Sequence, residues 1–250
     1  MISIILAGGL GKRMNSVIPK VLHIVNGKPM ICHVIERALE LQSTMILIVV
    51  GKYKEMIEKT ILEYITTDKI HYIIQENPLG TGNALTSCIP FLQTMNTLEN
   101  TRFLILSGDV PLIQYDTLNE LINYKKNENC LLSFILNHPK GYGRILSNDK
   151  GQIERIIEEK ECNELEKHIK NVNCGIYSMN FATLLLSLKI KNENVTKEYY
   201  LTDLIDISHK HGQSFNEFVL LHEKQNEIVN INTQEDLEKI KLYTFRDKIL

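Results

Sequence analysis

No apolar run in this sequence approaches the ~20 residues needed to cross a bilayer. No basic stretch precedes the apolar N-terminus, so a secretory leader is not expected either. The net charge is only −2, which gives no reason to expect a nucleic-acid or membrane-surface binder. The five cysteines, Cys32, Cys88, Cys130, Cys162 and Cys174, are odd in number and scattered. None forms a CxxC, which argues against a disulfide framework or a zinc site and for a reducing, cytoplasmic setting. Repeats, low-complexity tracts and long linkers are missing too. So are a Walker A loop, a GxGxxG fingerprint and any Ser/His/Asp or Cys/His pattern for a covalent nucleophile.

What is present is a regular alternation of strands and helices. Apolar runs at SIILA, MILIVVG, KIHYIIQ and RFLILSGD read as strands. Between them MICHVIERALEL, KEMIEKTILEYI and TGNALTSCIPFL read as helices, and YDTLNELINYKKN follows as a fourth. Apolar residues at helical spacing carry the helices. This β-α-β-α rhythm predicts an α/β fold with a parallel sheet covered on both faces. Past Asn129 the rhythm changes. CLLSFILN, GRILSN, QIERIIEE and VNCGIYSM read as strands, NFATLLLSL and EYYLTDLIDISHKHG as helices, and SFNEFVLL as a strand. A charged helix closes the chain, with Thr233 as its N-cap and Asp236 three residues on. One compact unit is expected across 1–250, with a first half over 1–129 and a second over 130–250.

Three loops follow strand ends, where ligands bind in open α/β sheets. In the first, Gly8, Gly9 and Gly11 let backbone N–H groups approach an anion, and Arg13 and Lys20 add positive charge. An ordinary glycine turn with solvated cations fits the same residues. The second, QENPLGTGNA, begins at Gln75, whose amide can both donate and accept, as reading a pyrimidine edge requires. It also fits a plain loop and helix cap. The third is Ser107 to Pro111, where Asp109 at a strand end is placed to hold Mg²⁺ or simply to make a turn. His209 and His211 read as residues of a helix end rather than ligands.

In order along the chain, LAGGLGKRM with PKVLHIVNGKPM, then PLGTGNA, GDVPL, GYGRI, IIEEKE, NCG, EYYLTD and INTQEDL resemble sugar-1-phosphate nucleotidyltransferases. Within that family they resemble the uridyltransferase domain of the bifunctional uridyltransferase/acetyltransferases. The resemblance implies a Rossmann-like, mixed but mainly parallel sheet flanked by helices. It implies Mg²⁺ as cofactor, UTP and a sugar 1-phosphate as partners, and transfer of UMP to N-acetylglucosamine 1-phosphate with release of pyrophosphate. Leu6, Ala7, Gly8 and Gly9 would cradle the nucleotide, with Ser107 and Gly108 in the same set. Arg13 and Lys20 would hold the triphosphate. Gln75, Gly80 and Thr81 would read uracil, and Asp109 and Asn232 would hold the metal. Gly143, Glu158, Asn173, Tyr200 and Thr202 would bind the sugar phosphate. On this division 1–129 is the nucleotide half and 130–250 the sugar half.

Several departures accompany the resemblance. Gly8 stands where LAAG has alanine, Ser107 where a tyrosine often precedes GD, and Cys174 within NCG where NTG is usual. No hexapeptide repeat of a left-handed β-helix follows, so neither acetyl transfer nor trimerisation through such a helix is expected. Alternatives in view are another sugar 1-phosphate or dTTP, a catalytically silent regulatory or binding subunit, and a molybdopterin nucleotidyltransferase.

Overall fold

Side chains that alternate along a strand point to opposite faces. On the first strand the neighbours Ile4 and Ile5 are both fully buried, so each face of the sheet must be covered. The computed structural model describes residues 1–96 and 98–246, and the side chains of these except residues 12 and 241–246. In chain order it contains β1 (Ile2–Leu6), β2 (Ile24–Val25), β3 (Lys28–Pro29), α1 (Met30–Glu40), β4 (Met45–Val50), α2 (Lys54–Tyr64) and β5 (Ile70–Ile74). Next come α3 (Thr81–Thr86), α4 (Ile89–Gln93), β6 (Arg102–Ser107), α5 (Tyr115–Tyr124), β7 (Asn129–Ile135), β8 (Arg144–Ser147) and β9 (Ile153–Ile157). The chain continues through β10 (Asn171–Asn180), α6 (Phe181–Leu185), α7 (Asp203–Lys210), β11 (Phe215–Val219) and α8 (Gln234–Arg246).

The main sheet runs β11-β7-β10-β6-β1-β4-β5, with β8 joined to β10 and β9 joined to β8. β6, β1, β4 and β5 pair in parallel. β10 lies antiparallel between β6 and β7, so this strand stitches the later part of the chain onto the earlier part. The expected mixed, mainly parallel sheet flanked by helices is what forms.

The two faces sort cleanly. Ile46, Ile48 and Val50 of β4 pack with Ile31, Val34 and Ile35 of α1 and with Ile57 and Ile61 of α2. Leu47 and Val49 of the same strand pack on the other side with Leu85 of α3, Leu92 of α4 and Leu204 of α7. Burying one such side chain contributes about 1.5–3 kcal/mol, which makes the strand register costly to shift.

Some expected elements change. TGNALTSCIPFL makes two short helices, α3 and α4, because the ring of Pro90 would meet the carbonyl of Thr86 if one helix continued. EYYLTDLIDISHKHG is helical only from Asp203. Ahead of it, Tyr199 N–H donates to Leu79 O at 2.8 Å, and Tyr199 O accepts from Gly82 N–H at 2.8 Å. Tertiary bonds have taken the groups a helix would need. The small β2–β3 hairpin was not anticipated, although its turn is Asn26-Gly27, both at positive φ, the usual two-residue hairpin signal.

The N-cap of α8 is as expected. Asp236 N–H donates to Thr233 Oγ1 at 3.2 Å, and the Asp236 carboxylate accepts from Thr233 N–H at 2.9 Å. The same carboxylate accepts from Asn232 N–H at 3.0 Å. α8 packs Leu237 and Ile240 against Met14, Val25 and Met30, which brings the end of the chain back to its first loop. The expected helix extends over Asp247–Leu250, which lie outside the described residues. Thr233→Ala should cost about 1 kcal/mol of stability through loss of the cap, measurable by urea denaturation.

Candidate active site

The carboxyl ends of β1, β5 and β6 open onto a cavity of about 460 Å³. Its wall includes Leu6, Ala7, Gly8, Gly9, Gly11, Arg13 and Lys20 from the first loop. Gln75, Gly80 and Thr81 come from the second, Ser107 and Asp109 from the third, and Asn232 from the turn before α8. Glu198 also lines it; it opens the EYYLTD motif, which assigned it no role. Gly108 lies just behind the wall, its N–H donating to Leu6 O at 3.0 Å. An added Cβ there would sit 3.2 Å from Val21 Cγ1, so this glycine lets β6 and the first loop pack closely.

The charged centre is built on Lys20. Its ammonium donates to the Asp109 carboxylate and, at 3.1 Å, to Asn232 Oδ1. Arg13 Nη2 donates to the same Asn232 oxygen at 3.0 Å. Ser107 Oγ donates to the other Asp109 oxygen at 2.6 Å. Burial alone would push the Asp109 carboxyl up. The Lys20 ammonium, helped by the Ser107 hydroxyl, outweighs burial and holds it below the usual carboxylate range. Two hard oxygens, from Asp109 and Asn232, therefore converge on one cationic point. That donor set fits a divalent cation whose shell is finished by phosphate oxygens and water. Among the described residues there is no group of three or more His, Cys, Asp or Glu placed to hold a metal by themselves.

At the second loop the chain is locked from two directions. Gly80 has φ +120°, and a Cβ there would lie 2.5 Å from Tyr199 O, so only glycine fits. Thr81 Oγ1 accepts from Leu201 N–H at 3.0 Å. Gln75 is 4% exposed. Its Nε2 donates to Gly80 O at 3.1 Å and to Asn83 Oδ1 at 2.8 Å. Its Oε1 lies over Gly8, where an added Cβ would stand 2.6 Å away. Glycine in place of alanine at that position thus makes room for the amide.

Gly143, Glu158, Asn173, Tyr200 and Thr202 are not part of this wall. Four of them pair with one another beside β8, β9 and β10, and Tyr200 pairs outside the set. Asn173 N–H donates to Gly143 O at 2.9 Å, and Thr202 Oγ1 donates to Glu158 Oε1 at 2.8 Å. Tyr200 bonds through its hydroxyl to Thr196. Asn173 Nδ2 donates to the buried hydroxyl of Tyr177 at 2.7 Å, a tyrosine that no motif marked. Burial pushes the Glu158 carboxyl up. The fully buried Arg144 holds Glu159 at 2.5 Å and joins the two segments that carry Gly143 and Glu158. His211 stays at the end of α7, its Nδ1 bonded to Ile207 O at 2.7 Å.

A sequence profile described as nucleotidyl transferase matches residues 2–236. The chain belongs to the nucleotidyl transferase family. As a nucleotidyl transferase it is 43% identical over 242 residues to a probable UDP-N-acetylglucosamine pyrophosphorylase of Acanthamoeba polyphaga mimivirus, covering 95% of this chain and 93% of the viral one. It is 40% identical to the bifunctional protein GlmU of Caldanaerobacter subterraneus subsp. tengcongensis, covering 95% of this chain and 50% of that one. This chain therefore spans about half the length of that bacterial relative. Among solved structures, UDP-glucose pyrophosphorylase complexed with UDP-glucose superposes with a TM-score of 0.77 at 17% identity, covering 98% of both chains. That likeness concerns the fold. No helix among the described residues is long and apolar enough to cross a membrane.

Asp203, at the start of α7 beside Thr202, gives a pH test of the second cluster. Burial first, then Glu158, Asp206 and Glu161, push its carboxyl from 3.8 up to about 6. The folded state then binds the proton more tightly than the unfolded one, so stability falls as pH rises through that window. Thermal melts between pH 4 and 7 should show this fall, and Asp203→Asn should flatten it.

Proposed function

We propose that this chain transfers UMP from UTP to N-acetylglucosamine 1-phosphate, giving UDP-N-acetylglucosamine and pyrophosphate. The observation that carries the reading is the meeting of a glycine cradle, two cations and two hard oxygens in one cavity. The name of the viral relative supplies the sugar and the nucleotide. The region 1–129 is assigned to the nucleotide and 130–250 to the sugar.

In this reading Leu6 to Gly9 receive the nucleotide, and Gln75, Gly80 and Thr81 face the uracil. Arg13 and Lys20 neutralise charge on the triphosphate and on the pyrophosphate as it leaves. A phosphate oxygen of the sugar 1-phosphate attacks the α-phosphorus, forming one P–O bond as the bond to the bridging oxygen of pyrophosphate breaks. That oxygen is already anionic, so the chain needs no general base, in keeping with a site of cations and amides. Mg²⁺, held by Asp109 and Asn232, would screen the phosphates of the bound nucleotide. Glu158 accepts from sugar hydroxyls, while Gly143 and Asn173 donate to the sugar. Tyr200 and Thr202 close that side, Thr202 by orienting Glu158. All five cysteines are free and buried, which supports assignment to the reducing cytoplasm.

Pyrophosphate release, measured with five nucleoside triphosphates against N-acetylglucosamine, glucose, galactose and glucosamine 1-phosphates, tests the assignment. Release confined to UTP with N-acetylglucosamine 1-phosphate is expected. Release with a different pair would move the substrate, and none at all would favour a silent subunit. Asp109→Ala should abolish metal-dependent turnover while the fold persists, as circular dichroism can check. Lys20→Ala should lower kcat by on the order of 10²-fold or more, whereas a change in KM alone would refute its role at the leaving group.

A further inference from the structure

The Gln75 amide has one orientation. Gly80 O is a backbone carbonyl and can only accept, so the group facing it must be the Gln75 NH₂. That NH₂ has two hydrogens. The second goes to Asn83 Oδ1, at 2.8 Å. Both donors are therefore used inside the protein, and only Oε1 remains for the cavity that Gln75 helps to line. Its place over Gly8 is open because residue 8 has no side chain.

We propose that Asn83 is a specificity-determining positioning residue, which makes Gln75 an acceptor-only reader of the pyrimidine base. The inference rests on the reading that Gln75 faces the base. Uracil presents an N3–H donor to such an acceptor. Cytosine presents a lone pair at N3, so two acceptors would face each other and the cytosine would lose a bond to water without replacing it. Without Asn83 the second N–H of a buried amide has no partner. The side chain is then free to swing toward the base and offer a donor, which cytosine accepts. Asn83 sits on α3, whose start is fixed by the Tyr199 segment, so the acceptor is delivered by a rigid element. Thymine has the same N3–H as uracil and is not distinguished by this device.

The test is the ratio of kcat/KM for UTP over CTP in the full chain, with equilibrium binding of the two nucleotides as a second readout. Asn83→Leu should lower the ratio by on the order of tenfold. Asn83→Asp, which keeps the accepting oxygen, should leave it close to the parent value. A purely structural role would lower both nucleotides together and leave the ratio unchanged, and that result in folded Asn83→Leu overturns the proposal. If the leucine variant does not fold, Asn83→Ala removes the same acceptor without added bulk. It should lower the ratio too, and an unchanged ratio there also overturns the proposal. Gln75→Ala separates the two layers of the argument: an unaltered ratio would mean that Gln75 does not read the base and would overturn both. Selective UTP binding that responds to Asn83→Leu, in a chain that turns over no sugar phosphate, would uphold this inference while the proposed reaction fell.

Discussion

Three distant segments meet at one ammonium group. Lys20 bonds to Asp109, 89 residues away, and to Asn232, 212 residues away. A buried carboxylate is costly unless it is paired and hydrogen-bonded, and Lys20, with Ser107, offsets much of that cost at Asp109. The surrounding backbone enforces that. Ile231 N–H donates to Asp109 O at 3.1 Å, Asp236 caps the turn holding Asn232, and Gln234 Nε2 reaches Met14 O at 3.2 Å. The same ties that close the fold at its C-terminal helix also aim the two oxygens that would meet a cation.

Around that centre the walls are set by close backbone approach. Gly80 has room only for hydrogen under Tyr199 O, and the hydrogen of Gly8 leaves the Gln75 amide in place above it. The two positions lie on different loops, yet Gln75 touches both. One side of the cavity is thus a pinned amide held between glycines, while the other carries the charge of Arg13 and Lys20, both tied to Asn232. Pinned groups suit discrimination and long cations suit a charge that moves between ground state and transition state.

Much of this was legible in the sequence. Apolar strands such as MILIVVG could only be buried on both faces, which required the helices to cover the sheet on two sides. Strand-end glycines with Arg13 and Lys20 marked the anion side, and Thr233 with Asp236 marked the last helix. What could not be read depended on partners far off in the chain. EYYL reads as helix by its own pattern but is drawn into contact with Leu79 and Gly82. Asn83 lies within PLGTGNA, whose pattern gives it no role, and Tyr177 lies outside every motif; each matters only through a side chain it happens to face.

The sequence by itself determined the layer order, the positions of the loops and the chemical types at their tips, because periodicity and glycine placement are local properties. Tertiary structure alone decided which tips converge, which amide hydrogens are spent, and that the pairs Gly143–Asn173 and Glu158–Thr202 stand apart from the cavity wall. Those outcomes follow from distances between atoms brought together by sheet pairing and by the return of the C-terminal helix, and no local pattern encodes such distances.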